Sequence, residues 1–272
     1  MTIRVGSPPL SFYAVQGAVV CAVLERAGYA TEHVMAFHDE IYPRLGSGEI
    51  DVFCATWLPG AHATLWSPIE ERAVKLGCLF RGGGFYIAAS PRLAQDGARC
   101  ILDLGQFDAV ERAVVSVGPG GATLTDRARN ALQVYGLDTA GFHVHAVPEK
   151  DWFEWIKNGT EKGRRFAAAI WRPSFVNATT DLALLSDPES AMGPQDDGWI
   201  TANRDFLRTA PNALRYLLAG LQLEIETIEA LDTEVTIRSR HPPDVAIDWL
   251  AANAECIDKL ISESLLAAGL QI

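Results

Sequence analysis

Residues 51–62 read Asp51-Val52-Phe53-Cys54-Ala55-Thr56-Trp57-Leu58-Pro59-Gly60-Ala61-His62, and residues 166–173 read Phe166-Ala167-Ala168-Ala169-Ile170-Trp171-Arg172-Pro173. Each is a short apolar run that ends on a tryptophan and meets a proline turn. Runs of this length, bounded by turn residues, read as buried strands. In open parallel sheets, ligands sit just beyond the carboxyl ends of the strands. Two readings therefore stand for Trp57 and Trp171. They are packing residues, as most tryptophans are, or they are walls of a pocket. An indole face attracts a cation that donates no strong hydrogen bonds, such as a quaternary ammonium group.

Outward from these runs, strand and helix signals alternate, the pattern of an α/β fold with mostly parallel sheets. Strands are expected over 3–5, 31–36, 51–56 and 85–89. Helices are expected over 15–27, with Val15, Val19, Ala22 and Val23 on one face, and over 39–45, where Pro43 interrupts. A second series starts near residue 92. It has strands over 114–117, 142–147, 166–170 and 182–185 and helices after the Gly118-Pro119-Gly120-Gly121 turn and over 151–158. Leu124, Ala128, Leu132 and Tyr135 share one helix face there. A strand over 199–202 precedes a helical C-terminal region. Its last helix carries a stripe of Leu250, Ala254, Ile257, Ile261 and Leu265. The acidic stretch 186–198 reads as a surface connection.

Composition narrows the function classes. The chain has 272 residues, is 49% hydrophobic and 21% charged, and carries a formal net charge of −11. That length supports two compact lobes. A chain this acidic, without a basic block, is a poor nucleic-acid binder. No apolar run approaches the roughly 20 residues that span a bilayer, so no membrane insertion is expected. The five cysteines are widely spaced, which argues against a disulfide framework or a structural zinc site. Cys21, Cys54 and Cys256 read as core residues. The sequence opens directly into a strand, without a recognisable secretory signal. The protein is then periplasmic or envelope-associated if a signal was removed, and otherwise cytoplasmic.

Candidate site residues follow from the turns. Strand, glycine-rich turn and helix start around 118–125 present free N–H groups at a positive helix end, suited to a small carboxylate. The alternative is a plain turn with Thr123 or Thr125 as N-cap. His62, five residues after Trp57, is either a donor into the same pocket or a loop histidine. His143 and His145 lie on one strand face without an evident third metal ligand. No nucleophile elbow, H-E-x-x-H or C-x-x-C pattern occurs, and no catalytic residue, metal or cofactor is expected.

The residues then converge on a resemblance. "GSGEIDVFCATWLPGAHATLW" (46–66), "SVGPGGATL", "YGLD", "WFEWIKNG", "AAAIWRPSF", "LALLSDPESAMG" and "NRDFLRTAPNALRYLLAGLQL" together resemble the glycine betaine/choline-binding proteins of ABC transporters, the OpuAC-like family. The resemblance spans essentially the whole chain, in order. It implies a two-lobed class II periplasmic-binding-protein fold with a ligand cleft between lobes. The first lobe would be residues 1–89 and 200–272, and the second 90–199. It also implies a non-enzymatic receptor for a small quaternary amine or zwitterion, with an ABC transporter permease as partner if the protein is exported. By the same resemblance Trp57 and Trp171 are cage walls, His62 is a polar ligand contact, and the amides of Ala122 and Thr123 meet a carboxylate. Family members often carry further tryptophans where this chain has residues 8–13 and Phe175, and some carry one where it has Gly121. Phe12, Tyr13, Tyr86 or Phe175 is left to complete the cage. Two other readings stay open: a cytoplasmic sensor or sequestering protein on the same fold, and an enzyme using Cys54 or a histidine on a small amine or carboxylate.

Overall fold

The alternating signals are realised as two units, residues 1–83 with 196–272, and residues 84–195. The computed structural model describes residues 1–107, 111–118 and 122–269. Chain order begins β1 (Thr2–Ser7), α1 (Ser11–Arg26), β2 (Ala30–Met35), α2 (His38–Ser47), β3 (Val52–Leu58), α3 (Ala63–Trp66) and β4 (Ala73–Ala89). It continues α4 (Pro91–Gln95), β5 (Ala113–Val117), α5 (Ala122–Val134), β6 (His143–Val147), α6 (Glu149–Glu161), β7 (Ala167–Arg172), α7 (Phe175–Thr179) and β8 (Ala183–Leu184). It ends β9 (Asp196–Asn203), α8 (Arg204–Thr209), α9 (Asn212–Gly220), α10 (Ile225–Thr236), α11 (Pro242–Ala252) and α12 (Ala254–Ala267).

In the first unit the strand order is β2-β1-β3-β9-β4. β1 pairs in parallel with β2 and β3, whereas β9 runs antiparallel to both β3 and β4. The sheet is thus mixed rather than mostly parallel. β3 lies between β1 and β9, and every one of its residues is buried. That explains its unbroken apolar run: a strand covered on both faces has no solvent side to alternate with. Its register with β9 shifts between Phe53 and Thr56. Such irregularities re-aim the following side chain, and here the next residue is Trp57. Helix α1 contacts β1, β2 and β3 as well as α10 and α11. It is therefore buried almost all round, from Phe12 to Leu24, and not only along the expected stripe.

The second unit orders its strands β8-β4-β7-β5-β6, with β5 parallel to β6 and β7 and β4 antiparallel to β7 and β8. Alternate residues of β7 feed two cores. Ala167 and Ala169 pack with Leu124, Ala128 and Leu132 of α5. Ala168 and Ile170 pack with Trp152 and Ile156 of α6 and with Phe175 and Val176. The small side chains of β7 let helices cover both faces closely.

Several sequence expectations change. The strand over 85–89 is the end of a 17-residue strand, β4, which serves both sheets. The units accordingly divide inside β4 at 83/84 and again at 195/196, where the sequence reading placed 89/90 and 199/200. Pro43 does not interrupt α2, which continues to Ser47. The long C-terminal stripe is split, because Asn253 leaves helical geometry between α11 and α12, and Ile257 is its one buried member. Cys256 is exposed, not core. Among the described residues no helix is long and apolar enough to cross a membrane.

Candidate ligand-binding site

The turn after β3 is held from inside the first unit. Asp196, the first residue of β9 and 1% exposed, accepts hydrogen bonds from the N–H groups of Gly60 and, at 3.0 Å, Ala61. One carboxylate so fixes the Pro59-Gly60 turn that follows Trp57. The chain then folds His62 back beneath the tryptophan. The Trp57 N–H donates to His62 Nδ1 at 3.0 Å, and the Tyr42 hydroxyl lies 2.8 Å from the same nitrogen. His62 Nε2 lies 3.2 Å from the Tyr13 hydroxyl. Burial, reinforced by neighbouring His38, holds the His62 pKa well below its ordinary value, so the ring is neutral at pH 7. A backbone N–H can only donate, so Nδ1 carries the lone pair and Nε2 the proton. Tyr42 therefore donates to Nδ1. His62 is a buried support for Trp57, Tyr42 and Tyr13. Both ring nitrogens are engaged within the unit.

Above this support the aromatic rings form a nest. Phe12 and Tyr13 come from the first turn of α1 and lie 4.2 Å apart by ring centroid. Each stands 6.0 Å from Trp57. Phe80 meets the Trp57 ring edge-on at 5.7 Å. Trp57 itself is 2% exposed. Phe80 has room only because residue 198 is glycine: a Cβ there would overlap the Phe80 ring. Gly198→Ala is expected to push Phe80 against Trp57 and to destabilise the protein by about 1–3 kcal/mol, as overpacking of a dense core does. Urea melting of the variant checks this, and an unchanged midpoint would show that the ring relaxes freely.

His38, at the start of α2, adds its ring 5.2 Å from Tyr13 and 4.6 Å from His62. Burial lowers its pKa to about 4. Its Nε2 is buried and has no hydrogen-bond partner among the described residues.

In the second unit, Trp171 near the end of β7 is half-buried. It stacks on the fully buried Trp152 at 5.1 Å with planes 9° apart. The Trp152 Nε1–H donates to the Ala169 carbonyl at 3.2 Å, which fixes the supporting ring. Asn177 Nδ2 donates to the Trp171 carbonyl at 2.9 Å. Phe175 packs edge-on against Phe153 at 4.8 Å. Tyr86 is half-buried and lies 3.4 Å from Gln195 Nε2. Ala122 and Thr123 open α5, and Thr123 is exposed. Thr125 does not cap that helix. Its Oγ1 donates to the Val117 carbonyl at 2.7 Å and lies 2.8 Å from the Ser116 hydroxyl. Residues 119–121 of the glycine-rich turn, Gly121 among them, lie outside the described residues.

The rival chemistries find little here. His143 and His145 are exposed on β6. No cluster of three or more His, Cys, Asp or Glu side chains fit for a metal occurs among the described residues. Cys54 is fully buried in β3, and burial raises its thiol pKa well above the ordinary value. A thiol so protonated is a poor nucleophile.

The structure thus gathers Phe12, Tyr13, Trp57 and His62 in one place. Sequence reasoning missed Asp196, Tyr42, His38 and Phe80 beside them and Trp152 behind Trp171. The short helix around Trp152 was legible as amphipathic. The others carried no local signal.

Comparison with known proteins follows the same lines. The chain is similar to a choline-binding protein of an ABC transporter solved with choline (20% identity, 98% of this chain and 96% of that one covered, TM-score 0.76). It is similar to lactococcal OpuAC in its closed form with glycine betaine (15% identity, 96% and 99% covered, TM-score 0.80). It is also similar to the glycine/betaine/L-proline-binding protein ProX of Borrelia burgdorferi (18% identity, 97% and 100% covered, TM-score 0.78). At such identities these likenesses show the fold, that of two-lobed periplasmic binding proteins. No curated protein sequence matches significantly. At the family level, residues 1–252 match the substrate binding domain of ABC-type glycine betaine transport systems, OpuAC. The chain belongs to that family and is a substrate-binding protein of an ABC transporter.

Proposed function

We propose that the protein binds a small quaternary ammonium compound of the glycine betaine or choline type, without chemical turnover, in the periplasm or cell envelope, and presents it to its transporter. The observation that carries this reading is the nest of Phe12 and Tyr13 around Trp57, each ring 6.0 Å from the indole. Aromatic faces satisfy a trimethylammonium group, which has no N–H to pair. A desolvated cation–π contact is worth about 2 kcal/mol, and a micromolar site requires about 8 kcal/mol in all. Several such contacts together with apolar burial reach that range. In this reading Trp171, stiffened by Trp152, is a second indole wall. The N–H groups of Ala122 and Thr123 at the start of α5 attract a ligand carboxylate through the helix dipole.

Isothermal titration with glycine betaine, choline, proline betaine and carnitine, read alongside tryptophan fluorescence, tests the proposal. Micromolar binding with a fluorescence change is expected for at least one. Binding to none would overturn it. Turnover of a bound ligand would overturn the claim that no chemistry follows.

A further inference from the structure

The hydrogen-bond direction around His62 leaves one proton over. The Trp57 N–H and the Tyr42 O–H both point at Nδ1, 3.0 and 2.8 Å away. Nε2 must then be the donor in its 3.2 Å contact with Tyr13, and the Tyr13 oxygen is the acceptor. Tyr13 makes no other hydrogen bond among the described residues, so its own O–H has no acceptor there. Burial, with Tyr42 and Asp196 adding to it, raises the Tyr13 pKa well above its ordinary value, so the phenol keeps that proton. The residue is 3% exposed. Buried hydroxyl protons are seldom left unmatched. A second unmatched polar atom lies in the same nest, the buried Nε2 of His38, whose ring is 5.2 Å from that of Tyr13.

We propose that the Tyr13 hydroxyl is the ligand's hydrogen-bond donor, and that it selects a quaternary amine bearing an oxygen acceptor over one that bears none. The assignment rests on the quaternary-amine reading above. His62 is the positioning residue. By donating to the phenol oxygen it leaves the O–H of Tyr13 as the unmatched donor. The chain of donors behind it is one-way: Tyr42 donates to His62, and His62 donates to Tyr13. Each link polarises the next. The acceptor is a carboxylate oxygen in a betaine or a hydroxyl oxygen in choline. Tetramethylammonium has the same cationic head and no acceptor.

Tyr13→Phe removes only the hydroxyl and leaves the ring in the nest. Titrating the natural protein and this variant with glycine betaine, choline and tetramethylammonium separates the outcomes. The expected result is a loss of about tenfold for whichever oxygen-bearing ligand the natural protein binds, the scale of one lost hydrogen bond, with tetramethylammonium unchanged. An equal loss for all ligands, or no loss for any, would overturn the assignment. If the natural protein binds none of the three, the quaternary-amine reading fails instead. The donor assignment then still answers to a second measurement, the ¹⁵N spectrum of the His62 imidazole at pH 7. A proton on Nε2 alone is expected. An Nδ1–H tautomer or an imidazolium would overturn the assignment whatever the ligand.

Discussion

Trp57→Ala is expected to abolish ligand binding and to remove about 3–5 kcal/mol of stability at the same time, the usual cost of truncating a buried tryptophan. The ring is 2% exposed and is held by Phe12, Tyr13 and Phe80. Its loss leaves a cavity that those aromatic side chains cannot fill. Trp171→Ala is expected to abolish binding too, at a smaller cost in stability. Trp171 is only half-buried, and the fully buried Trp152 remains beneath it. The sequence alone treats the two tryptophans as equivalent strand tips. Burial separates them. Urea melts and ligand titration of both variants are the check. Native affinity in Trp171→Ala would remove that residue from the site, and native stability in Trp57→Ala would contradict its packing.

The second large effect is an acid-sensitive fold. His33, His38 and His62 all have pKa values lowered by burial, His38 to about 4. In the unfolded chain each titrates near 6.5. Below that pH the unfolded state takes up protons that the native state refuses, so stability falls as pH falls. The loss begins near pH 6.5 and continues to each folded-state value. Each histidine contributes up to about 1.4 kcal/mol per pH unit in that window, and His38 and His62 together roughly twice that. His62 cannot accept a proton at Nδ1 without losing the bonds from Trp57 and Tyr42. Glu149, whose pKa burial raises, works in the opposite sense as pH falls. Urea melts at pH 7.5, 6 and 5 should show the decline, and His38→Phe should flatten part of it. A level profile from pH 7.5 to 5 would mean that these rings are hydrated in the native state.

The strands carrying Trp57 and Trp171 were legible because both lie inside their sheets. A strand covered on two faces must be apolar throughout, and a proline turn must end it. The upstream part of β4 was not legible. Its run through Arg81-Gly82-Gly83-Gly84 reads as a loop, and its register with β9 shifts repeatedly, which erases the period-two pattern. Asp196 was hidden for another reason. It stands at the end of an acidic, proline-containing stretch, and N–H groups from a distant turn hold it as a buried residue. The support beneath Trp57 was half-legible. His62 announces itself by its spacing from the tryptophan, but Tyr42 and Tyr13 reach it from helices 20 and 49 positions away in the chain. The C-terminal stripe misled because hydrophobic spacing alone does not register the turn at Asn253.

The position of β9 has a consequence for the order in which the protein is made. The first unit's sheet runs β2-β1-β3-β9-β4, so the strand that sits between its two halves is the last of them to be synthesised. When residues 1–195 have left the ribosome, every strand of the second unit is present, whereas the first unit still has a gap between β3 and β4. Trp57 then lacks its strand partner Gly198, and the turn beside it lacks Asp196. The nascent chain meets these groups only after the whole second unit has emerged. The sheet around Trp57 is therefore completed only after the whole second unit has been synthesised.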